Sequence, residues 1–175
     1  LTKGAVTVGK DGAFSISTNA KVGSTQEITV PVKIKEGQEL VVKVKNVTLP
    51  AKPKGWIATF IGLTSDKKVN YAAALSNGRL YIAQRAPKWK PLGGSISFKY
   101  PITLQIRRYK GMLTFVVNGS PRVAIKEGKN VADVPYFYIA TQKKDNWSIL
   151  DISSLELREV NKAAVDKEKK PVRTL

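Results

Sequence analysis

The sequence predicts an all-β protein that folds as a single antiparallel β-sandwich with a short charged tail at its C-terminus. Two observations carry this prediction. Apolar residues recur at every second position along most of the chain, which is the period of a half-buried strand. Turn-forming residues, above all Gly and Asn-Gly pairs, interrupt these segments roughly every 8–12 residues, as is typical of sandwiches.

The strands are predicted in order from this alternation. Gln26–Lys35 and Glu39–Val47 alternate between aliphatic side chains and Lys, which indicates one buried and one solvated face. We interpret the segment Lys35–Gln38 between them as a hairpin turn. Trp56 is predicted to be a core residue. The further predicted strands are Trp56–Gly62, Tyr71–Leu75, Arg79–Gln84, Ser95–Tyr100, Pro101–Tyr109, Met112–Asn118, Arg122–Lys126, Pro135–Gln142 and Ile149–Val160.

The two ends are expected to differ from the sandwich, which we place at residues 13–160. Residues 1–12 form an N-terminal extension whose short strand, Ala5–Val8, would pair with the open sheet edge of a neighbouring subunit. The chain begins with Leu, as a mature or trimmed product would. Residues 161–175 form a basic tail in which Pro171 would stop a helix. This tail either packs back on its own sandwich or is held by a neighbouring chain.

The composition excludes several kinds of chemistry. The 175 residues include neither Cys nor His, which removes Ser-His-Asp and Cys-His catalytic groups, thiolate metal sites and disulfides. The net charge is +17, and 42% of the residues are hydrophobic, so the charge is expected on a folded body. We expect no membrane span, because the sequence has no run of about 18 apolar residues.

Several of these segments resemble one fold family. The stretch Tyr100–Gly119 resembles the central hairpin of concanavalin A-like lectin and glucanase sandwiches, a group that includes laminin-G-like modules. Gly55–Leu63 and Asn77–Ile82 are similar to their core strands, and Asp151–Leu157 is similar to their final strand. The resemblance covers about residues 11–160 and implies a jelly-roll sandwich. It says little about activity, since one fold hosts many functions.

The acidic residues argue against an enzyme. The resemblance implies that a glucanase would carry acidic residues alternating along one strand, and glycoside hydrolysis needs two carboxylates roughly 5–9 Å apart. The best approach to this pattern here is Asp151, Glu156 and Glu159. Their spacing places Glu156 on the opposite strand face from the other two. We therefore expect no enzymatic activity and no catalytic residues.

A structural calcium ion is the one cofactor that the resemblance implies. Some members of the family hold Ca²⁺ with an Asp of the last strand, to which Asp151 would correspond, and Asp11 would be a second ligand. The alternative is that these are surface carboxylates paired with Lys or Arg, because the positive field of the chain repels a dication. No other cofactor is expected.

The distribution of basic residues is the most informative feature. No acidic residue occurs from Lys67 to Lys126, where twelve Lys and Arg are found. A continuous positive sheet face would attract acidic glycans, nucleic acid or an acidic patch of another subunit. The alternative is general Lys enrichment for solubility or thermostability. The candidate ligand-binding residues are Arg79, Arg85, Lys88, Trp89, Lys90, Arg107 and Lys110, with Tyr81 or Tyr109 as further stacking platforms.

Three sequons predict sites of N-glycosylation at Asn46, Asn118 and Asn146. For Asn118 the alternative is turn chemistry alone. Glycosylation would place the protein outside the cell or at its surface.

Three functions are compatible with these observations. The first is a non-catalytic extracellular structural or adhesive subunit that assembles with copies of itself. The second is a lectin-like module that binds an acidic polysaccharide through its basic, aromatic-bearing face. The third is sequence-independent binding of nucleic acid or a role in a viral coat.

Overall fold

The computed structural model describes residues 4–8, 12–18, 25–66, 69–76, 78–129, 131–141 and 146–175. They form fifteen strands and one short helix. The elements are β1 (Gly4–Val8), β2 (Phe14–Thr18), β3 (Thr25–Thr29), β4 (Gln38–Thr48), β5 (Ile57–Thr64), β6 (Asn70–Ser76), β7 (Arg79–Ala86), β8 (Lys90–Pro91), β9 (Ile96–Ser97), β10 (Ile102–Tyr109), β11 (Met112–Val117), β12 (Ser120–Lys126), β13 (Val134–Thr141), β14 (Ile149–Glu159), α1 (Lys162–Asp166) and β15 (Arg173–Thr174).

The strands form two sheets that pack face to face, which confirms the predicted all-β sandwich. Sheet A has the order β1-β2-β14-β4-β10-β11-β12-β15, and sheet B has the order β3-β13-β5-β6-β7-β8, with β9 also paired to β7. Every pairing is antiparallel except that of β12 with β15. In the described part of the chain, no helix is long and apolar enough to span a membrane.

The core lies between the sheets and follows the alternation seen in the sequence. On β4, Val42 and Val44 are fully buried, whereas Lys43 and Lys45 between and after them are exposed. Sheet B contributes Ile61 and Phe137 to the same core. Burial of apolar surface at about 25 cal/mol per Å² makes this layer the main stabilising element of the fold.

One predicted hairpin is wrong. The segment Gln26–Lys35 was predicted as one strand, but the strand ends at Thr29. Pro31 comes soon after and has no backbone N–H to donate to a neighbouring strand. Strand β3 belongs to sheet B and β4 to sheet A, so residues 30–37 cross between the sheets. The turn itself exists, because the Gln38 N–H donates to the Lys35 carbonyl.

Two further expectations are corrected. The predicted strand Ser95–Tyr100 is reduced to the two-residue β9. Trp56 is 51% exposed and does not lie in the core. Strand β1 pairs with β2 of its own chain, with Val6 opposite Ile16, and is the edge strand of sheet A, so its pairing with a neighbouring subunit stays a prediction.

The C-terminal segment packs on its own sandwich, which decides between the two alternatives for the tail. Helix α1 begins after Asn161, whose side chain accepts a hydrogen bond from the Ala164 N–H. The chain then reaches the edge of sheet A, where β15 pairs with β12. The Leu175 N–H donates to the Ala124 carbonyl, and the Lys126 N–H donates to the Leu175 carbonyl.

A buried ionic cluster anchors this tail. Glu39 on β4 lies directly opposite Arg107 on β10 and Arg158 on β14, so one carboxylate is flanked by two guanidinium groups. Its oxygens lie 3.4 Å from Arg107 Nε and 3.0 Å from Arg158 Nε. Arg107 also donates to both oxygens of Glu168 in the tail, at 2.7 and 3.1 Å. Burial lowers the pKa of the Arg107 guanidinium, but Glu168 and Glu39 outweigh it and hold that pKa raised.

Replacing the central carboxylate should destabilise the whole fold. The side chain of Arg107 is only 5% exposed, and Glu39→Gln removes one of its two charge partners. We therefore expect the free energy of unfolding, measured by urea denaturation, to fall by about 3 kcal/mol. The matched control is Glu156→Gln, whose side chain is 61% exposed, with an expected change within about 0.5 kcal/mol. Equal effects of the two variants would contradict the account of the cluster.

Candidate functional site

The outer face of sheet B carries aromatic side chains. The strand register places five residues side by side across the sheet, one from each of β3, β13, β5, β6 and β7. They are Glu27, Tyr138, Phe60, Ala74 and Tyr81. Phe60 and Tyr138 pack with ring centroids 5.6 Å apart. Such rings form an apolar surface that is separate from the core between the sheets.

The neighbouring row is made of small residues. Tyr136 on β13 is followed across the sheet by Gly62, Ala72 and Ala83. A Cβ atom at Gly62 would overlap the carbonyl oxygen of Tyr71 and lie 2.6 Å from the Ala72 Cα, so only glycine fits there. This row leaves room above the sheet for side chains that reach in from its edges.

The outer face of sheet B is concave, as the contacts of Arg85 show. Strands β7 and β3 are separated by four strand spacings, about 19 Å in a flat sheet. Arg85 on β7 nevertheless lies 3.8 Å from the Glu27 carboxylate on β3. Since two side chains cannot bridge that flat distance, the sheet must curve and bring its two edges towards each other.

Arg85 lies over the centre of this concave face. Its guanidinium carbon is 3.6 Å from the ring centroid of Tyr138 and 5.4 Å from that of Phe60. A stacked guanidinium contributes about 0.5–2 kcal/mol through its attraction to the ring, and its N–H groups stay directed outward along its edges. The ion pair with Glu27 is long, and Glu27 is 48% exposed, so it is a weak pair that a ligand can replace.

The connection between β7 and β8 supplies the rim of the face. Trp89 is 53% exposed, and its ring meets Phe60 edge-on with centroids 5.9 Å apart. Lys88 and Lys90 on either side of it are exposed. Trp89 therefore offers an accessible aromatic surface between two cations, with one edge fixed by the sheet.

Tyr136 is the most deeply buried polar side chain of this face. It is fully buried, and burial raises the pKa of its hydroxyl to about 12, although the charge of Arg85 acts in the opposite direction. The hydroxyl consequently stays protonated near neutral pH, and it has no hydrogen-bond partner in the described part of the chain.

The structure divides the seven predicted ligand-binding residues between the two sheets. Arg79, Arg85, Lys88, Trp89 and Lys90 belong to sheet B or to the connection after β7. Arg107 and Lys110 belong to sheet A, and both are paired with the tail. Lys110 lies 2.8 Å from Asp166, and Tyr109 donates to the same carboxylate. The single continuous basic face expected from the sequence is therefore not formed.

Of the two predicted calcium ligands, only Asp151 lies in the described part of the chain. Asp151 accepts a hydrogen bond from Ser15 and lies opposite Asn46 in the ladder. Asp11 lies outside the described residues. Among the described residues there is no group of three or more acidic side chains that could hold a metal ion.

The three sequon asparagines differ in exposure. Asn46 is exposed on β4, and Asn118 is exposed in the β11–β12 turn, where its side chain accepts from the Thr103 N–H. Asn146 is only 2% exposed, and its side-chain oxygen accepts from the Lys54 N–H. Glycosylation of Asn46 and Asn118 stays a prediction, whereas Asn146 is not accessible in the folded chain.

Sequence reasoning missed the residues at the centre of the concave face, namely Glu27, Phe60, Tyr136 and Tyr138. A signal was present, because Tyr136 and Tyr138 alternate with Phe137 and Ile139, so both faces of β13 carry large side chains. The alternating small residues Ala72 and Ala74 on β6 were a second signal.

Several solved structures with a similar fold are carbohydrate-active proteins. The alginate lyase AlgAT5 from polysaccharide lyase family 7 superposes with a TM-score of 0.62 at 13% identity, covering 89% of this chain and 82% of that chain. The Crh5 transglycosylase in complex with NAG has a TM-score of 0.64 at 13% identity, covering 92% and 78%. A third is the family 7 alginate lyase A1-II', in a variant in which Asn replaces a His and Phe replaces a Tyr, bound to the substrate GGMG. It superposes with a TM-score of 0.57 at 14% identity, covering 92% of this chain and 84% of that chain.

No protein-family model matches the sequence. No curated protein matches it either. The structural likeness establishes that the chain has the concanavalin A-like jelly-roll fold, as the sequence resemblance implied.

The comparison contradicts two expectations from the sequence. The chain was expected to be a non-catalytic structural subunit without enzymatic activity, yet several solved structures that share its fold are named as lyases and a transglycosylase. The argument from scattered carboxylates considered hydrolysis alone.

The row of small residues provides a test of the concave face. Gly62→Ala forces β5 and β6 apart, so we expect it to lower the free energy of unfolding by about 3 kcal/mol in urea denaturation. Gly128→Ala is the control, since a Cβ there meets nothing within 4 Å, and should change it by less than about 0.5 kcal/mol. A fully stable Gly62→Ala variant would show that the strands are not held this close.

Proposed function

We propose that the protein binds an acidic polysaccharide along the outer face of sheet B. The observation that carries this proposal is Arg85, held flat on Tyr138 in the middle of a concave aromatic face. A guanidinium fixed in this way can meet a carboxylate with two parallel hydrogen bonds. The polysaccharide-active proteins that share the fold support the choice of a glycan over other polyanions.

The charge of the face favours an anionic chain. Arg79 and Arg85 are on its strands and Lys88 and Lys90 on its rim, whereas Glu27 is the only acidic residue within the strands of sheet B. The net positive field attracts a polyanion and concentrates it at the surface. A carboxylate of the ligand would replace Glu27 as the partner of Arg85.

The aromatic side chains suit the apolar face of a sugar ring. Pyranose rings have apolar C–H faces, and Trp89 offers an exposed ring next to two Lys. Tyr81 and Tyr138 are partly exposed on the same face. Bound sugar units would therefore contact aromatic rings with their C–H faces and basic groups with their carboxylates.

Cleavage of the bound chain by β-elimination is the reaction that these residues favour. Arg85 would neutralise the carboxylate of a uronate unit. Tyr138 would act as the base and take the proton from the adjacent carbon through its oxygen, the C–H electron pair would form a C=C bond, and the glycosidic C–O bond would break. The leaving oxygen would receive the proton from Tyr138, so the step needs no further reactant.

Hydrolysis is disfavoured on the same face. It requires two carboxylates, and Glu27 has no acidic partner on the strands of sheet B. An extracellular location is part of the proposal, because large polysaccharides of this kind are encountered outside cells.

Arg85→Gln should weaken binding of a polyuronate such as alginate. The variant removes a charge-assisted bidentate contact, so we expect the dissociation constant to rise about tenfold or more in isothermal titration calorimetry. Lys43→Gln removes the same unit of charge from the exposed outer face of sheet A and should change it by about twofold or less. Equal weakening by both variants, or equal affinity for a neutral polysaccharide, would overturn the proposal.

Tyr138→Phe separates binding from cleavage. The phenyl ring can still carry Arg85, so affinity should be retained, while formation of the unsaturated product, followed by its ultraviolet absorbance, should fall by about a hundredfold. Tyr81→Phe on the same face is the control and should retain activity. Unchanged cleavage by Tyr138→Phe, or no product from the wild-type chain, would exclude this mechanism and leave the binding proposal intact.

A further inference from the structure

A cavity of about 260 Å³ lies at the open edge of the sandwich, away from the concave face. Its walls come from the loop after β8, from β12 and from the C-terminal segment. The polar groups around it belong to Ser95, Arg122 and Arg173, and Gly93 and Gly94 form part of the wall without side chains. The volume is large enough for a small anion or one acidic sugar.

A β-bulge directs Arg122 into this cavity. In the pairing of β11 with β12, Phe115 lies opposite Val123 and Val116 lies opposite Pro121. Arg122 is the extra residue between them and has no cross-strand partner. Bulges re-aim side chains in this way, so Arg122 leaves the regular alternation of β12 and lines the gap between the sheets.

The cavity has donors and positive charge without a matching acceptor. In the described part of the chain, neither Arg122 nor Arg173 forms an ion pair, and the Arg122 Nε is shut off from solvent without a hydrogen-bond partner. A buried donor of this kind costs about 1–3 kcal/mol unless something accepts its hydrogen bond. None of the residues that line the cavity is acidic.

An arginine outside the cavity lining orients the Ser95 hydroxyl. Arg79 Nη1 donates to the Ser95 hydroxyl at 2.5 Å, so the hydroxyl proton of Ser95 is free to point towards a ligand. Two guanidinium groups, those of Arg122 and Arg173, therefore line a space of molecular size. Guanidinium groups and hydroxyls are the donors with which proteins bind carboxylate and sulfate.

We propose that this cavity is a binding site for a single oxyanion, a carboxylate or a sulfate, held between Arg122 and Arg173. The Arg122 guanidinium donates to it from β12, Arg173 closes it from the C-terminal segment, and Ser95 donates from the loop. Because Arg173 belongs to β15, the site is complete only when the tail is docked on the sandwich. The site is separate from the proposed polysaccharide face, since neither Arg85 nor any of its ring partners lines the cavity.

Calorimetric titration of the full chain with sodium sulfate, and separately with sodium glucuronate, tests the site at constant ionic strength set by sodium chloride. We expect saturable binding of one anion per chain. Arg122→Gln and Arg173→Gln should each weaken it by about tenfold or more. Tighter binding of glucuronate than of sulfate would identify a sugar acid as the ligand source, and the reverse would identify a free inorganic anion.

Two controls separate this site from general charge effects and from the polysaccharide face. Lys126→Gln removes one exposed charge at the far end of β12, and Arg85→Gln alters only the concave face, so both should bind the anion as the wild-type chain does. Arg173 is exposed, so its variant keeps the test valid if Arg122→Gln does not fold. Absence of saturable binding, or equal weakening by Lys126→Gln and Arg122→Gln, would overturn the proposal.

Discussion

The stacking of Arg85 on Tyr138 is the interaction on which the concave face depends. Arg85 thereby joins strand β7 to β13 and, through its ion pair with Glu27, to β3, which requires the sheet to curve. The curvature in turn requires small side chains at the centre of the concave face, and Gly62 and its alanine neighbours provide them. Charge, aromatic surface and shape therefore come from one arrangement, and a change to these small residues would alter all three.

The two sheets use their arginines in opposite ways. On sheet A, Arg107 is buried and forms ion pairs with Glu39 and with Glu168 of the tail, so its charge is neutralised within the fold. On sheet B, Arg85 has a single distant partner and keeps N–H groups available. The same residue type is therefore held by two carboxylates on one face and by one long ion pair on the other.

Much of the fold follows from the sequence, because strand alternation and turn residues are local signals. The site follows less well, since its residues meet only through strand pairing. The acid-free stretch from Lys67 to Lys126 predicted a continuous basic face, but Glu39, Asp166 and Glu168 come from outside the stretch and neutralise Arg107 and Lys110. The neighbours of Phe60 and Tyr138 could not be predicted either, because register between distant strands is not encoded in either segment alone.

The central claim is that an acidic glycan binds along the outer face of sheet B. Nuclear magnetic resonance titration of the isotopically labelled chain with an oligouronate tests it most directly. The account predicts that the largest shifts occur at the Trp89 indole N–H, the Arg85 side chain and the strands β5, β7 and β13. Shifts confined to sheet A and to the tail after Asn161, or no shifts at all, would contradict it.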